Sequence, residues 1–192
     1  MTSSTPLAVV NPPPIGESLS VGWKTFQQNP VPILLGMLCA MLIGLVPILG
    51  AGLAFAGMMK VSLRALRGEV PAPADGFAGL SNNAVDHIVM GLLQMAGLLA
   101  CCIGVYVSQA IFFPGTLLIL ERNMTWDEAK DVCWKQVKPN WLPWTLFVLV
   151  AGLVGASGML LCFVGVLFTA PIAMIAMAHA YEKTFGASAA RA

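Results

Sequence analysis

A serine and two histidines are the residues of this chain best suited to do chemistry. Ser157 lies in Gly155-Ala156-Ser157-Gly158, and His179 is the only histidine that follows it. Such a pair can act as nucleophile and general base if the two side chains come within ~3 Å. We expect them at opposite ends of one returning helix, ~25–30 Å apart at ~1.5 Å per residue. Ser157 is therefore interpreted as a helix-packing residue.

His87 and His179 both fall near the ends of apolar runs, so they could ligate one haem or metal from two helices. No cysteine or carboxylate stands beside them at a convincing ligand spacing, and the five cysteines are interpreted as small hydrophobic residues. Met37, Cys39 and Met41 are close in sequence, but on a helix Cys39 leaves the face that the methionines share. We predict no catalytic residue, no cofactor and no metal site.

The chain that carries these residues is strongly apolar. Its 192 residues are 58% hydrophobic and 10% charged, whereas about one-quarter of the residues of soluble domains are charged. The net charge of +1 comes without the basic stripe that nucleic-acid binding requires. Asp, Glu, Lys and Arg are absent from three runs, 25–59, 87–120 and 139–181.

The longest of these runs is too long for a single membrane crossing. As one helix, its 43 residues would measure ~65 Å, about twice the ~30 Å hydrocarbon core. We therefore predict an all-α, polytopic membrane bundle of about six short transmembrane helices in three hairpins. A single domain would cover 15–186, with its middle hairpin at 84–120, between a disordered tail at 1–14 and a short tail at 187–192.

Local signals mark several boundaries in this domain. Asn29-Pro30 should end an amphipathic helix that begins at Ile15, and Thr125 and Glu128 form a capping box that should start a second one. Residues 68–83 are expected to form an ordered surface loop, and the middle hairpin should reverse near 100–106. Small residues four apart should let another helix approach the first span closely, at Gly36, Ala40 and Gly44.

An internal repeat relates the two amphipathic helices. Residues 17–44 align without gaps with residues 128–155 and share eleven identities over these 28 positions. Shared apolar composition alone would not align residues such as Trp23 and Trp134. We predict repeat copies at about 15–68 and 126–186, and a parallel repeat, because four spans separate the two starts.

The amphipathic helices carry the predicted binding residues. Tryptophans anchor helices at membrane interfaces, and lysines there attract anionic headgroups. The predicted lipid- or partner-binding residues are Trp23, Lys24, Trp126, Lys130, Trp134, Lys135 and Lys138. Every Lys and Arg lies outside the three hairpin tips, so the positive-inside rule predicts that both termini are cytoplasmic.

Several short motifs resemble a broad, uncharacterised group of small prokaryotic membrane proteins, similar to the membrane domain attached to some glycerophosphoryl diester phosphodiesterases. They are Gly22-Trp23, Pro47-Ile48-Leu49-Gly50, Arg67-Gly68, Asp75-Gly76-Phe77, Glu128-Ala129, Cys162-Phe163-Val164-Gly165 and Thr169-Ala170-Pro171. The resemblance implies a six-span protein of the bacterial inner membrane. It carries over no catalytic residue, because the phosphodiesterase activity of the fused relatives belongs to a separate soluble domain.

Two functions remain open at this stage. The first is a scaffold or accessory subunit without catalytic activity, which binds membrane lipids or another membrane complex. The alternative is a transporter or channel for a neutral or lipid-like substrate, which would need a polar cavity lined by Gln94, Ser108, Gln109 and Thr169. An intramembrane enzyme would require His87 or His179 to meet a nucleophile or a metal.

Overall fold

The computed structural model describes residues 11–46, 49–81, 83–161 and 165–186, and within these ranges every regular element is helical. The prediction of an all-α fold is confirmed. Of the predicted tails at 1–14 and 187–192, residues 1–10 and 187–192 lie outside the described residues. The α-helices are α1 (Ile15–Gln28), α2 (Pro30–Gly44), α3 (Leu49–Leu66), α4 (Ala84–Met95), α5 (Cys101–Arg122), α6 (Trp126–Gln136), α7 (Trp141–Ser157) and α8 (Val166–Tyr181).

Three stretches of the described chain are long and apolar enough to cross a membrane, Leu49–Leu66, Gly104–Arg122 and Lys138–Ser157. The pair α1 and α2, bent by 103° at Asn29, could provide a fourth crossing. α2 and α8 have only 15 and 16 residues. At ~1.5 Å per residue they measure ~22–24 Å, which is shorter than a ~30 Å hydrocarbon core.

The apolar helices pack as antiparallel neighbours, α2 with α3, α4 with α5, and α7 with α8. The α4–α5 reversal lies at Ala96–Ala100, slightly earlier than the predicted 100–106. Gly97 explains this position, because a Cβ there would overlap the carbonyl group of Gly104 on the returning helix. The reversal therefore depends on a glycine that the sequence analysis did not single out.

Both amphipathic helices begin as predicted and pack along a hairpin helix. At one end of α1 the Ser18 hydroxyl lies 3.1 Å from Nδ1 of His179, and at the other the rings of Phe26 and Phe168 are 6.2 Å apart, so α1 runs along α8. α6 begins with the predicted capping box and folds back along α5, where the Trp134 ring stacks on Phe112 with centroids 6.4 Å apart. α1 and α6 are thus integral parts of the bundle.

The predicted surface loop at 68–83 contains a short helix. Residues Pro73–Leu80 form a 3-10 helix that packs on α2 and α3 through Gly76 and Gly79, while Phe77 and Leu80 stay exposed. Gly76 is buried there, and a Cβ on it would overlap the carbonyl oxygen of Gly36. The small-residue surface around Gly36 and Ala40 therefore contacts this 3-10 helix as well as α3, while Gly44 is exposed.

One end of the bundle collects the charged groups and is here named the charged end. Arg67, after α3, pairs with Glu121 of α5 at 2.6 Å and donates through Nε to Glu182 after α8 at 2.7 Å. Arg122 donates to the carbonyl oxygen of Phe185 at 2.8 Å. The final residues of α3, α5 and α8 consequently lie on the same side of the molecule.

Three helices bury residues at positions i, i+3, i+4 and i+7, which lie on one face of a helix. These residues are Ile33, Gly36, Met37 and Ala40 in α2; His87, Met90, Gly91 and Gln94 in α4; and Trp144, Phe147, Val148 and Ala151 in α7. α2 and α7 belong to the two predicted repeat copies. The match of α4 to the same pattern was not predicted.

Ala40→Leu tests the close packing around α2. Ala40 has no exposed surface, and its Cβ lies 3.1 Å from the position of a Cβ built on Gly57. We expect overpacking to cost ~1–3 kcal/mol and to lower the melting temperature in detergent. Leu42→Phe is the matched control, because Leu42 on the same helix is mostly exposed. Equal melting temperatures for the two variants would contradict the described packing.

Candidate functional site

The predicted binding residues form two separate surfaces, because α1 packs on α8 and α6 packs on α5. On α1, Trp23 is 50% exposed and Lys24 is exposed, while the neighbouring Gly22 is buried against α8. On α6, Trp134 is 47% exposed and Lys135 is exposed. The residue pairs that match in the sequence alignment thus have the same exposure in the structure. We name them the two Trp–Lys surfaces.

The lysines of the α6 surface are largely paired with local partners. Lys130 bonds Asp127 at 2.6 Å and lies 5.2 Å from the centre of the Trp126 ring, and this hydrogen bond raises the pKa of Lys130. Lys138 lies 3.5 Å from the centre of the Trp134 ring. Lys135 forms a longer ion pair with Asp131, one helical turn earlier. Attraction to an anionic membrane is therefore weaker than three unpaired lysines would provide.

Ser157 and His179, which the sequence analysis expected to lie too far apart to act together, have separate partners. Ser157 donates its hydroxyl to the carbonyl oxygen of Val154 at 2.6 Å, whereas His179 contacts Ser18. The second ring nitrogen of His179 is 3.9 Å from Glu17. This serine, histidine and glutamate resemble a hydrolytic triad in composition, but Ser18 has no exposed surface. In this arrangement the contact joins α1 to α8 and offers no access to a substrate.

Sequence reasoning missed Ser18 because its partner is distant in the chain. The available signal was its position on the buried face of α1, which it shares with Gly22, Thr25 and Phe26. His87 is also buried, and neither of its ring nitrogens has a hydrogen-bond partner among the described residues. Across the described ranges, no group of three or more His, Cys, Asp or Glu side chains is arranged to hold a metal.

A cleft with two glutamine side chains opens between α3, α4 and α5 and is here named the amide cleft. Its volume is about 260 Å³. Gln94 and Gln109 both line it, and Ser108 lies beside them, donating its hydroxyl to the backbone carbonyl of Gln94. Thr169 is elsewhere and donates to the carbonyl oxygen of Gly155. Three of the four polar residues predicted to share a cavity are therefore neighbours.

A larger apolar groove lies between α2, α3 and α8, with a volume of about 540 Å³. Four methionines line it, Met37, Met41, Met58 and Met174. Methionine side chains are flexible and adapt to irregular apolar shapes. This methionine groove was not predicted, because it forms only where α8, which carries Met174, packs beside α2 and α3 from a distant part of the sequence.

Comparison with known proteins does not assign this chain to a family. No family model matches the chain, and no similar curated protein or solved structure is found. The resemblance to the membrane domain of phosphodiesterases therefore stays a prediction.

Cys133 provides a test of how firmly α6 is docked. It has no exposed surface, and burial raises the pKa of its thiol to about 12. In a variant that retains Cys133 as the only cysteine, we expect a water-soluble maleimide to react ~100-fold or more slowly at neutral pH than with Lys135→Cys in a cysteine-free background, because the thiolate is the reactive form. Similar rates would mean that α6 detaches from α5.

Proposed function

We propose that this chain is a multi-pass membrane protein without catalytic activity, acting as a scaffold or accessory subunit that binds lipids or another membrane complex. The observation that carries the proposal is the matched exposure of Trp23 with Lys24 and of Trp134 with Lys135. A half-exposed tryptophan beside a lysine is typical of residues at a membrane interface. Each pair stands on a helix whose opposite face is held by the bundle.

The shared position of three helix ends supports an even number of crossings in the middle and last hairpins, as six crossings in three hairpins require. Arg67 bonds both Glu121 and Glu182, so the ends of α3, α5 and α8 lie on one side of the bundle. The segment between the ends of α3 and α5 therefore begins and finishes on that side, and so does the segment between the ends of α5 and α8. Each of these segments then crosses an even number of times. The common burial spacing of α2 and α7 supports the parallel repeat.

The short helices are compatible with such a topology if the bilayer adapts to them. A helix shorter than the hydrocarbon core can be accommodated by local thinning of the membrane and by side chains that reach for the interface. The arginines at the charged end would then lie in the cytoplasm with both termini, by the positive-inside rule. The membrane proposed is the bacterial inner membrane.

The topology can be measured by single-cysteine labelling in a cysteine-free background. Leu45, Leu98 and Met159 are exposed near the three helix reversals, and Val70 and Lys135 are exposed in the two connections between hairpins. We expect a membrane-impermeant maleimide to label cysteines at the first three positions on intact cells, and at the last two only after lysis. Labelling at position 135 on intact cells would show that the middle run crosses once.

The lysines of α6 provide the functional test. Replacing Lys130, Lys135 and Lys138 by Gln leaves Asp127, Glu128 and Asp131 uncompensated on or beside the same helix. We expect retention of phosphatidylglycerol, measured by native mass spectrometry, to fall by about fivefold or more, because each basic residue near an anionic surface contributes up to ~1 kcal/mol. Retention of phosphatidylcholine, which has no net charge, should not change.

The acidic side chains of α6 give the matched control for that experiment. Asp127→Asn combined with Asp131→Asn removes the partners of Lys130 and Lys135, so it should raise phosphatidylglycerol retention. Unchanged retention in both the lysine and the aspartate variants, with intact melting behaviour, would contradict the scaffold proposal.

A transporter or channel for a neutral or lipid-like substrate is the second candidate. The amide cleft favours it, because Gln94 and Gln109 bring hydrogen-bonding groups into otherwise apolar surroundings. Transported substrate would then pass between the first and middle hairpins. Substrate-dependent flux in proteoliposomes, lost on filling the cleft, would support this candidate over the scaffold.

A further inference from the structure

We propose that the amide cleft binds the glycerol and ester region of a neutral diacylglycerol-type lipid. This inference rests on the proposed lipid-binding function and assigns it a second, separate site. It differs from the two Trp–Lys surfaces in position, because the cleft lies between α3, α4 and α5. It also differs in chemistry, because the cleft would recognise its ligand through uncharged amide groups.

Gln109 has hydrogen-bonding capacity that the described chain does not use. Its side chain is half-buried, lines the cleft and forms no hydrogen bond within the described residues. Leaving an amide without a partner in apolar surroundings costs free energy, so a ligand that supplies a partner is stabilised there. The Gln109 amide group can donate to a carbonyl oxygen.

Gln94 faces the same cleft in a fixed orientation. Its amide nitrogen donates to Oγ1 of Thr116 at 2.9 Å and lies 3.4 Å from the carbonyl oxygen of Phe112. With the nitrogen engaged in this way, its side-chain oxygen is the group left to accept a hydrogen bond from a ligand. The cleft thus offers the amide of Gln109, which can donate, and the side-chain oxygen of Gln94, which can accept.

The lining and size of the cleft select the ligand class. Its other described lining side chains are apolar and none of them is ionisable, so they offer no charge to neutralise a phosphate. A volume of about 260 Å³ is too small for a whole lipid but accommodates a glycerol with its ester groups. The exposed Ala51 and Met95 stand at the mouth, where acyl chains can leave towards the membrane.

The depth of the cleft matches this part of a lipid. Gly52 and Val105 line it and lie within the first turns of α3 and α5, next to the reversals of the first and middle hairpins. In the proposed topology this is the level at which acyl chains join the glycerol. A diacylglycerol supplies an ester carbonyl for Gln109 and a hydroxyl for Gln94, which complements both free groups.

The test compares ester and ether lipids in competition on the full-length protein. Dioleoylglycerol and its dioleyl ether analogue, which lacks both carbonyl groups, are mixed in equal amounts, and bound lipid is measured by native mass spectrometry. One hydrogen bond in such a site predicts about fivefold preference for the ester. Gln109→Leu should abolish that preference, and Gln27→Leu, which replaces an exposed glutamine of α1, should retain it.

A second variant fills the cleft without touching its hydrogen-bonding groups. Ala51→Leu adds bulk at the exposed mouth, so it should reduce binding of both lipids by similar factors while the melting temperature is kept. Equal binding of ester and ether by the parent protein, or an ester preference that survives Gln109→Leu, would overturn the inference. The inference would also be overturned if the protein retained dioleoylphosphatidylcholine more strongly than dioleoylglycerol, or if Gln109→Leu changed the oligomeric state without changing lipid binding.

The outcome is separable from that of the lysine experiment. Loss of phosphatidylglycerol retention in the lysine variant, together with no ester preference, would leave the scaffold function standing and remove this site. An ester preference that depends on Gln109 in a protein whose Trp–Lys surfaces bind no anionic lipid would leave the cleft standing and remove the proposed role of those surfaces.

Discussion

Close approach of backbones at glycine is the constraint on which the rest of this structure depends. Within a hydrocarbon layer, burying apolar side chains against one another gains little over contact with lipid, so helices associate through tight packing. Gly57 and Gly76 let α3 and α2 meet the backbone of the 73–80 segment directly, and Gly36 leaves room for the Val61 side chain of α3. Gly52 and Gly91 do the same for α3 and α4, where a Cβ on Gly91 would lie 2.5 Å from the Cα of Gly52. A single added methyl group at these positions would overlap the neighbouring element and push the two apart.

This packing also determines where the molecule is open. α3 approaches α4 at a pair of glycines, and the amide cleft lies beside that contact, with Gly52 and Gly91 in its wall. Between α2 and α8 the contact is looser and methionines replace glycines, so the methionine groove opens there. The candidate sites are thus consequences of which helix pairs can approach each other and which cannot. Helices α1 and α6 carry the two Trp–Lys surfaces. Their tryptophans face outward because the adjacent residues, Gly22 and Cys133, are buried against the bundle.

Features that depend on neighbours within one or two helical turns were predicted well. The break at Asn29, the start of α6 with Thr125 bonded to Glu128, and the helical spacing of the apolar residues all follow from local backbone requirements. Features that join distant segments were missed. Ser18 meets His179 across 161 positions, and Gly76 fits against α2 although its segment reads as a polar connection. A glycine-rich connection between hairpins has the same composition whether it forms an irregular loop or a short helix packed on its neighbours, so composition could not distinguish the two.

By itself, the sequence determined the helical class, the approximate hairpin boundaries and the amphipathic faces of α1 and α6, because hydropathy, helical period and capping act over short distances. Which polar side chains share a site was decided only by tertiary structure. Gln94 and Gln109 line one cleft because the reversal at Ala96–Ala100 sets the register of α4 against α5. Thr169 is equally polar and equally surrounded by apolar residues in the sequence, yet it bonds Gly155 within another hairpin. The register of antiparallel helices depends on where a glycine permits the turn and on which backbones can touch, and both are properties of two segments together.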